Sequence, residues 1–204
     1  MSEDLRLLTA WCEGDLEAGS DLFRRHSEGI FRFFRNKVDS GAVADLVQQT
    51  FLACVESRDR YRREASFRTY LFTIARHQLF AYWRSRKRNV ALDFEHSSLA
   101  DLGPSPSSLI ALKREQRLLL EALRRIPLDY QVVLELYYWE GFGSRELAQV
   151  LDIPANTARS RLGRARKSLH AQLTQLAESS TQLSSVVDNL ETWAQSLQSA
   201  IGVS

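Results

Sequence analysis

The chain has 204 residues, of which 44% are hydrophobic and 25% charged, as expected of a globular protein with one large domain or two small ones. No apolar stretch approaches the roughly 20 residues that a membrane-spanning helix needs, and the first residues are acidic where a signal peptide would be basic. We therefore expect a cytoplasmic protein without membrane insertion. Cys12 and Cys54 are too few and too far apart to predict a disulfide framework or a zinc site.

The net charge of +2 conceals two basic segments in an otherwise acidic chain. Residues 58–88 contain 10 Lys/Arg against 2 Asp/Glu, and residues 154–172 contain 5 against none. A solvated surface usually mixes both signs, so the two segments indicate two separate anion-binding surfaces. A long polyanion such as DNA could bind both of them.

Helical periodicity dominates the sequence, and the 9 Gly and 4 Pro interrupt it rarely. We predict one or two helices over residues 16–37, an amphipathic helix over 42–56, a loop over 58–64 and a long helix over 66–88. Pro104 and Pro106 with several serines predict a flexible linker over 89–108. Further helices are predicted over 109–123, 128–138, 144–151, 156–173 and, in the tail, 179–201.

The predicted fold class is therefore all-α, with two small helical domains joined by a flexible linker. The first domain spans residues 1–88, the linker 89–108 and the second domain 109–174. A C-terminal helical extension follows over 175–204. In this extension Leu183, Leu190 and Leu197 recur every seven residues and predict an apolar stripe. The stripe would either pack on the protein's own domain or bind a partner.

The segment 143–169 has the pattern of a helix-turn-helix. Pro154 ends the first helix, and Asn156 or Thr157 can cap the second. The small side chains of Ala148 and Ala158 would let the two helices cross closely. In this motif the second helix enters the major groove of DNA.

The exposed face of that second helix carries side chains that can bind DNA. Arginine reads guanine through two parallel hydrogen bonds, and serine bonds to bases or phosphates. Two arginines on the flanks, Arg161 and Arg166, are expected to contact phosphates. The alternative is a solvated basic helix with no target, which the absence of acids over 154–172 disfavours. The residues expected at the DNA are Asn156, Thr157, Arg159, Ser160, Arg161, Arg164 and Lys167.

Residues 58–88 also interleave basic side chains with aromatic rings. Single-stranded DNA binding needs charge that follows the backbone and rings that stack on unpaired bases. Phe67 falls on the apolar face and is better explained as core, whereas Phe80 and Trp83 either contact another helix or stack on bases. Arg76 and His77 lie beside these rings.

These motifs resemble those of a known family. The runs Asp45-Leu-Val-Gln-Gln-Thr-Phe51 and Ala65-Ser-Phe-Arg-Thr-Tyr-Leu-Phe-Thr-Ile-Ala-Arg76 are similar to the promoter-melting region 2 of extracytoplasmic-function (ECF) sigma factors. The runs Leu123-Arg-Arg-Ile-Pro127 and Tyr138-Trp-Glu-Gly141, with the helix-turn-helix that follows, are similar to region 4 of the same family.

The resemblance implies a sigma factor that binds bacterial core RNA polymerase, at the β′ clamp helices and the β flap, and recognises promoter DNA. It also implies an anti-sigma factor as a further partner. The helix-turn-helix would read the −35 element, and the linker would run toward the RNA exit path. The implied polymerase-binding residues are Asp45, Leu46, Gln48, Gln49 and Phe51. The residues implied to read and melt the −10 element are Arg60, Arg63, Phe67, Arg68, Arg76, His77, Phe80, Trp83 and Arg84.

An enzyme is not expected, because the sequence contains no phosphate-binding Gly loop, nucleophile motif or metal-ligand spacing. For the same reason we predict no cofactor and no metal. The main alternative is a stand-alone helix-turn-helix regulator, which would leave the basic aromatic segment without a role. A protein-interaction module that never touches DNA is a third and weaker interpretation.

Overall fold

The computed structural model describes residues 2–58, 61, 65–86, 93–102, 114–177 and 192. Throughout this part of the chain the regular elements are helices, and an isolated bridge joins Ser98 to Pro127. The predicted all-α fold class is confirmed. Contacts divide the chain into two compact units, Met1–Tyr82 and Trp83–Ser204. Among the described helices none has the length and hydropathy needed to cross a bilayer.

The first unit contains α1 (Glu3–Cys12), α2 (Leu16–Arg35), α3 (Ser40–Glu56) and most of α4 (Phe67–Arg86). Helix α2 packs against both α1 and α3. Burying a large apolar side chain contributes about 1.5–3 kcal/mol, and the interior of this unit is built from such residues. Its fully buried side chains include Leu22, Ile30, Phe34, Leu71, Ala75 and Leu79.

Helix α1 is absent from the sequence prediction, although its start carries a recognisable signal. The Ser2 hydroxyl accepts a hydrogen bond from the backbone N–H of Leu5 at 3.3 Å. Acidic Glu3 and Asp4 occupy the first turn, where their negative charge interacts favourably with the positive end of the helix dipole. The helix buries Leu7, Leu8 and Trp11 against its neighbours.

Gly19 lies where α2 passes the indole ring of Trp11, which is only 4% exposed. A Cβ added to Gly19 would lie 2.5 Å from Trp11 Cδ1 and 2.7 Å from its Nε1. We expect Gly19→Ala to lower the free energy of unfolding by about 1–3 kcal/mol, the usual cost of overpacking, in a urea titration. Gly41→Ala is the matched control, because nothing lies within 4 Å of the added Cβ. Equal losses in the two variants would contradict the clash.

Cys54 is a core residue of the first unit. Its side chain is fully buried, and this burial raises the pKa of the thiol to about 12. Because the thiolate is the reactive form, Cys54 is chemically inert near neutral pH.

The second unit contains α5 (Leu99–Leu102), α6 (Arg114–Arg125), α7 (Leu128–Tyr138), α8 (Ser144–Leu151) and α9 (Ala155–Leu176). Helix α9 packs on α6, α7 and α8. Helix α7 is buried on nearly all sides, and its buried residues include polar Asp129, Gln131 and Glu135. Gln131 Nε2 donates to Glu135 Oε1 at 2.7 Å, so the amide N–H of this buried side chain has a partner inside the core.

Part of the predicted linker is folded onto the second unit. The backbone N–H groups of Leu128 and Asp129 donate to the carbonyls of Ser97 (2.9 Å) and Phe94 (3.1 Å), and Leu99 is fully buried. A flexible linker over 89–108 is therefore wrong for residues 93–102, where backbone hydrogen bonds and one apolar anchor outweigh a polar composition. The rest of the linker and, apart from residue 192, the extension beyond residue 177 lie outside the described residues.

Candidate nucleic-acid interface

Helices α8 and α9 form the predicted helix-turn-helix. Asp152 ends α8 in the left-handed conformation (φ 55°, ψ 50°), and the N–H of Ile153 donates back to the carbonyl of Ala148 at 3.0 Å. Pro154 is the N-cap residue of α9, and no side chain caps that helix. The expectation that Asn156 or Thr157 caps α9 is therefore wrong, because the helix already begins at Ala155 and both residues lie inside it.

Small side chains let α8 and α9 pack closely. Ala158 and Ala165 of α9 are fully buried, and Leu147 of α8 is buried with Leu162 of α9. Ala158, Leu162 and Ala165 share one side of α9, so their burial fixes which face of the helix points outward.

The outward face of α9 carries polar and basic side chains. Thr157 is half-buried, and the exposed residues are Asn156, Arg159, Ser160, Arg164 and Lys167. Within the described residues none of the three cations on this face forms an ion pair. Their charge is therefore not neutralised by neighbouring carboxylates, as a phosphate-binding surface requires.

Arg161, which was expected to contact a phosphate, points inward instead. Its side chain is 9% exposed. Its Nη1 donates to Asp129 Oδ2 at 2.9 Å, and its Nη2 donates to Glu95 Oε1. Both ends of the guanidinium are thus bonded to carboxylates of the same unit. The predicted phosphate contact of Arg161 is therefore wrong, and the side chain forms internal ion pairs instead.

In α4, aromatic side chains predicted to meet DNA are buried. Phe67 is 3% exposed, as the core interpretation held, and Phe80 and Trp83 are each 5% exposed. Stacking of Phe80 or Trp83 on bases does not fit this burial, because stacking needs an open ring face. Of the two alternatives that the sequence left for these rings, packing inside the protein is the one observed.

Buried rings of α4 support its arginines. The guanidinium of Arg76 lies 4.3 Å from the centroid of the Phe80 ring, and that of Arg68 lies 5.8 Å from the Phe72 ring. Such cation–π contacts hold a cation at a protein surface without neutralising it.

Three exposed residues of α4 share one face. His77, Ala81 and Arg84 recur at helical spacing and are exposed. The guanidinium of Arg84 also lies 5.9 Å from the Phe94 ring. Arg60 and Arg63, predicted to act with these residues, lie outside the described residues.

Helix α3 presents the polar face that the sequence predicted. Asp45, Gln48 and Gln49 are exposed. Leu46 is 4% exposed, and the ring centroids of Phe51 and Phe23 are 4.8 Å apart. Leu46 is thus corrected from a partner contact to a core residue, and the ring of Phe51 serves mainly the internal packing of this unit.

Two apolar residues on α3 are exposed. Leu52 is 54% exposed and Val55 is 45% exposed. Leu52 follows Gln48 by four residues and Gln49 by three, which puts it on the same face. Leu52 and Val55 are three residues apart, so together they form a small exposed apolar area beside the polar side chains.

Comparison with known proteins finds a family match for each unit. A family model described as Sigma-70 region 2 matches residues 22–89, and one described as Sigma-70, region 4 matches residues 116–169, together more than half of the chain. ECF RNA polymerase sigma-E factors are 25% identical: over 166 residues in Escherichia coli strain K12 (77% of this chain, 87% of the relative) and over 171 in Haemophilus influenzae (79% and 90%).

Solved structures share the fold. CnrH in complex with the cytosolic domain of CnrY aligns with a TM-score of 0.55 and 24% identity over 86% of this chain and 100% of that one. The sigma factor RpoE in complex with the anti-sigma factor NepR from Bartonella quintana aligns with a TM-score of 0.56 and 22% identity over 78% and 97%. The chain belongs to the sigma-70 family and is a sigma factor of the ECF group.

Proposed function

We propose that the second unit of this sigma factor recognises the −35 promoter element through α9, and that α4 of the first unit acts at the −10 element. The assignment depends on the outward face of α9, the second helix of a helix-turn-helix, where three cations that form no ion pair with any described residue lie around Ser160. Arg159 and Arg164 are assigned to base edges, and Lys167 to a phosphate.

At the −10 element, α4 is proposed to supply charge rather than stacking rings. Arg68, Arg76, His77 and Arg84 are partly or fully exposed, and the rings that contact Arg68 and Arg76 are buried. Rings held inside the unit would orient the cations along the DNA backbone. Any base stacking in this region would then come from residues other than Phe67, Phe80 and Trp83.

The exposed face of α3 is proposed to bind core RNA polymerase at its β′ clamp helices. Asp45, Gln48 and Gln49 provide hydrogen bonds, and Leu52 and Val55 provide apolar contact. The second unit is proposed to meet the β flap. RNA polymerase acts in the bacterial cytoplasm, which is where we place this protein. An anti-sigma factor remains a proposed partner, since one of the aligned structures is a complex with such a protein.

Transcription with purified components tests the function as a whole. The full chain is mixed with core RNA polymerase and a library of promoters, and the transcripts are sequenced. We expect transcripts that appear only when the protein is present, and we expect the same pair of promoter elements upstream of their start sites. A stand-alone helix-turn-helix regulator would yield no transcripts with core enzyme alone, and that result would reject the proposal.

Replacing Leu52 with aspartate tests the α3 surface. A carboxylate placed in an apolar contact would lose its water and find no partner, which costs binding free energy. We therefore expect Leu52→Asp to weaken binding to core polymerase roughly tenfold or more. Leu16→Asp is the matched control, because Leu16 is an exposed leucine (76%) on a different helix of the same unit. Competition with the wild-type chain for core enzyme measures both. Equal binding by the two variants would remove Leu52 from the interface.

A further inference from the structure

Arg166 of α9 is held between two tyrosines of α7. Its Nε donates to the hydroxyl of Tyr138 at 3.0 Å. Its guanidinium lies 4.8 Å from the centroid of the Tyr137 ring and 5.5 Å from that of Tyr138. The two rings meet edge to face, with centroids 4.9 Å apart and planes at 86°. Together they form a cradle that restricts the arginine side chain.

The partners of Arg166 differ in charge from those of Arg161. Arg161 is bonded to two carboxylates, so its charge is neutralised internally. The cradle around Arg166 consists of phenol groups, which are uncharged near pH 7. Arg166 is exposed, and among the described residues it forms no ion pair. Its bond to Tyr138 uses one of the five N–H donors of a guanidinium, so the side chain is fixed while its charge stays available to an anion.

The position of Arg166 suits a DNA contact. It follows Arg159 by seven residues, nearly two helical turns, and therefore lies on the same side of α9 about 10 Å along the axis. Arginine binds phosphate through paired N–H groups. Holding that fork in place beforehand reduces the side-chain entropy lost on binding.

The sequence predicts a phosphate contact for Arg166, and we propose that Tyr138 is the positioning residue that holds its guanidinium for that contact with the promoter backbone. The inference deepens the proposed function of α9 and rests on it. Binding is measured with holoenzyme, assembled from the full chain and core polymerase, on promoter DNA over a range of salt concentrations.

Arg166→Ala removes one phosphate contact. We expect the slope of log K against log salt to become shallower by about 0.9, and affinity to fall by a similar factor on every promoter sequence. Arg166→Lys keeps the charge and should retain most of the slope. An unchanged slope in Arg166→Ala overturns the proposal.

Tyr138→Phe keeps the ring and removes the hydroxyl. We expect roughly two- to tenfold weaker DNA binding, the range that one hydrogen bond contributes. Tyr130→Phe is the control, because Tyr130 is a half-buried tyrosine about two turns earlier on α7. It should bind DNA as the wild type does.

The double variant separates positioning from general stability. If Tyr138 acts through Arg166, Tyr138→Phe has no further effect on DNA binding once Arg166 is alanine. An equal loss in both backgrounds indicates a structural role and overturns the proposal. If Arg159→Ala and Arg164→Ala abolish −35 binding while Arg166→Ala does not weaken it, only this inference fails. If none of the three matters, the proposed function of α9 fails as well.

Discussion

Replacing Arg159 and Arg164 together with alanine is expected to lower initiation from a −35-dependent promoter roughly hundredfold or more. Each arginine that reads a base through two hydrogen bonds contributes about 1–3 kcal/mol of discrimination, and both are exposed on the outward face of α9. The measurement is in vitro transcription with core polymerase and the double variant, on a promoter selected by the wild-type protein. Binding of the variant to core enzyme through α3 should be unchanged, because both substitutions lie on α9.

The control for this pair is Arg125→Ala. Arg125 is an exposed arginine on α6 of the same unit, and its Nη2 is 2.6 Å from Glu121 Oε1. It therefore tests the loss of one surface cation that already has an internal partner. If the double variant transcribes as well as Arg125→Ala, α9 does not read the promoter.

The second large effect is on stability and concerns Arg161. Arg161→Ala leaves the carboxylate of Asp129, whose side chain is 5% exposed, without its 2.9 Å partner. Breaking a buried ion pair from one side costs about 3–5 kcal/mol. We expect urea unfolding, followed by circular dichroism, to show a loss of that size in the second unit.

Glu95→Gln measures the second ion pair of Arg161, the one with Glu95. The Glu95 side chain is 57% exposed, so water screens its bond to Arg161 and the expected loss is at most about 1 kcal/mol. A loss in Arg161→Ala as small as that in Glu95→Gln would mean that other groups satisfy Asp129.

Helix positions followed from the sequence where the periodicity was strong. The bounds predicted for α7 and α8 are those observed, and α3 and α9 differ from their predictions by a few residues at the ends. Helix α1 was missed although Ser2 and its acidic first turn signal a helix start. The order of the folded segment 93–102 was also missed, because its hydrogen bonds go to residues about thirty positions away, which no local pattern encodes.

The candidate site divides in the same way. The sequence identified the outward face of α9, since the 3.6-residue period separates Ala158 and Leu162 from Arg159 and Arg164. It could not decide the fate of side chains near the edge of that face. Arg161 and Arg166 have the same chemistry and similar flanking positions, yet one faces two carboxylates and the other two phenols.

By itself, the sequence determined that this protein is helical, that it has two basic segments and that one of them lies in the second helix of a helix-turn-helix. These properties depend on residue type and on spacing within a single helix. Only the tertiary structure decided which cations remain available to DNA and which rings are buried. Those outcomes depend on which side chains other helices bring alongside, and burial converts an arginine from a phosphate ligand into an internal ion pair.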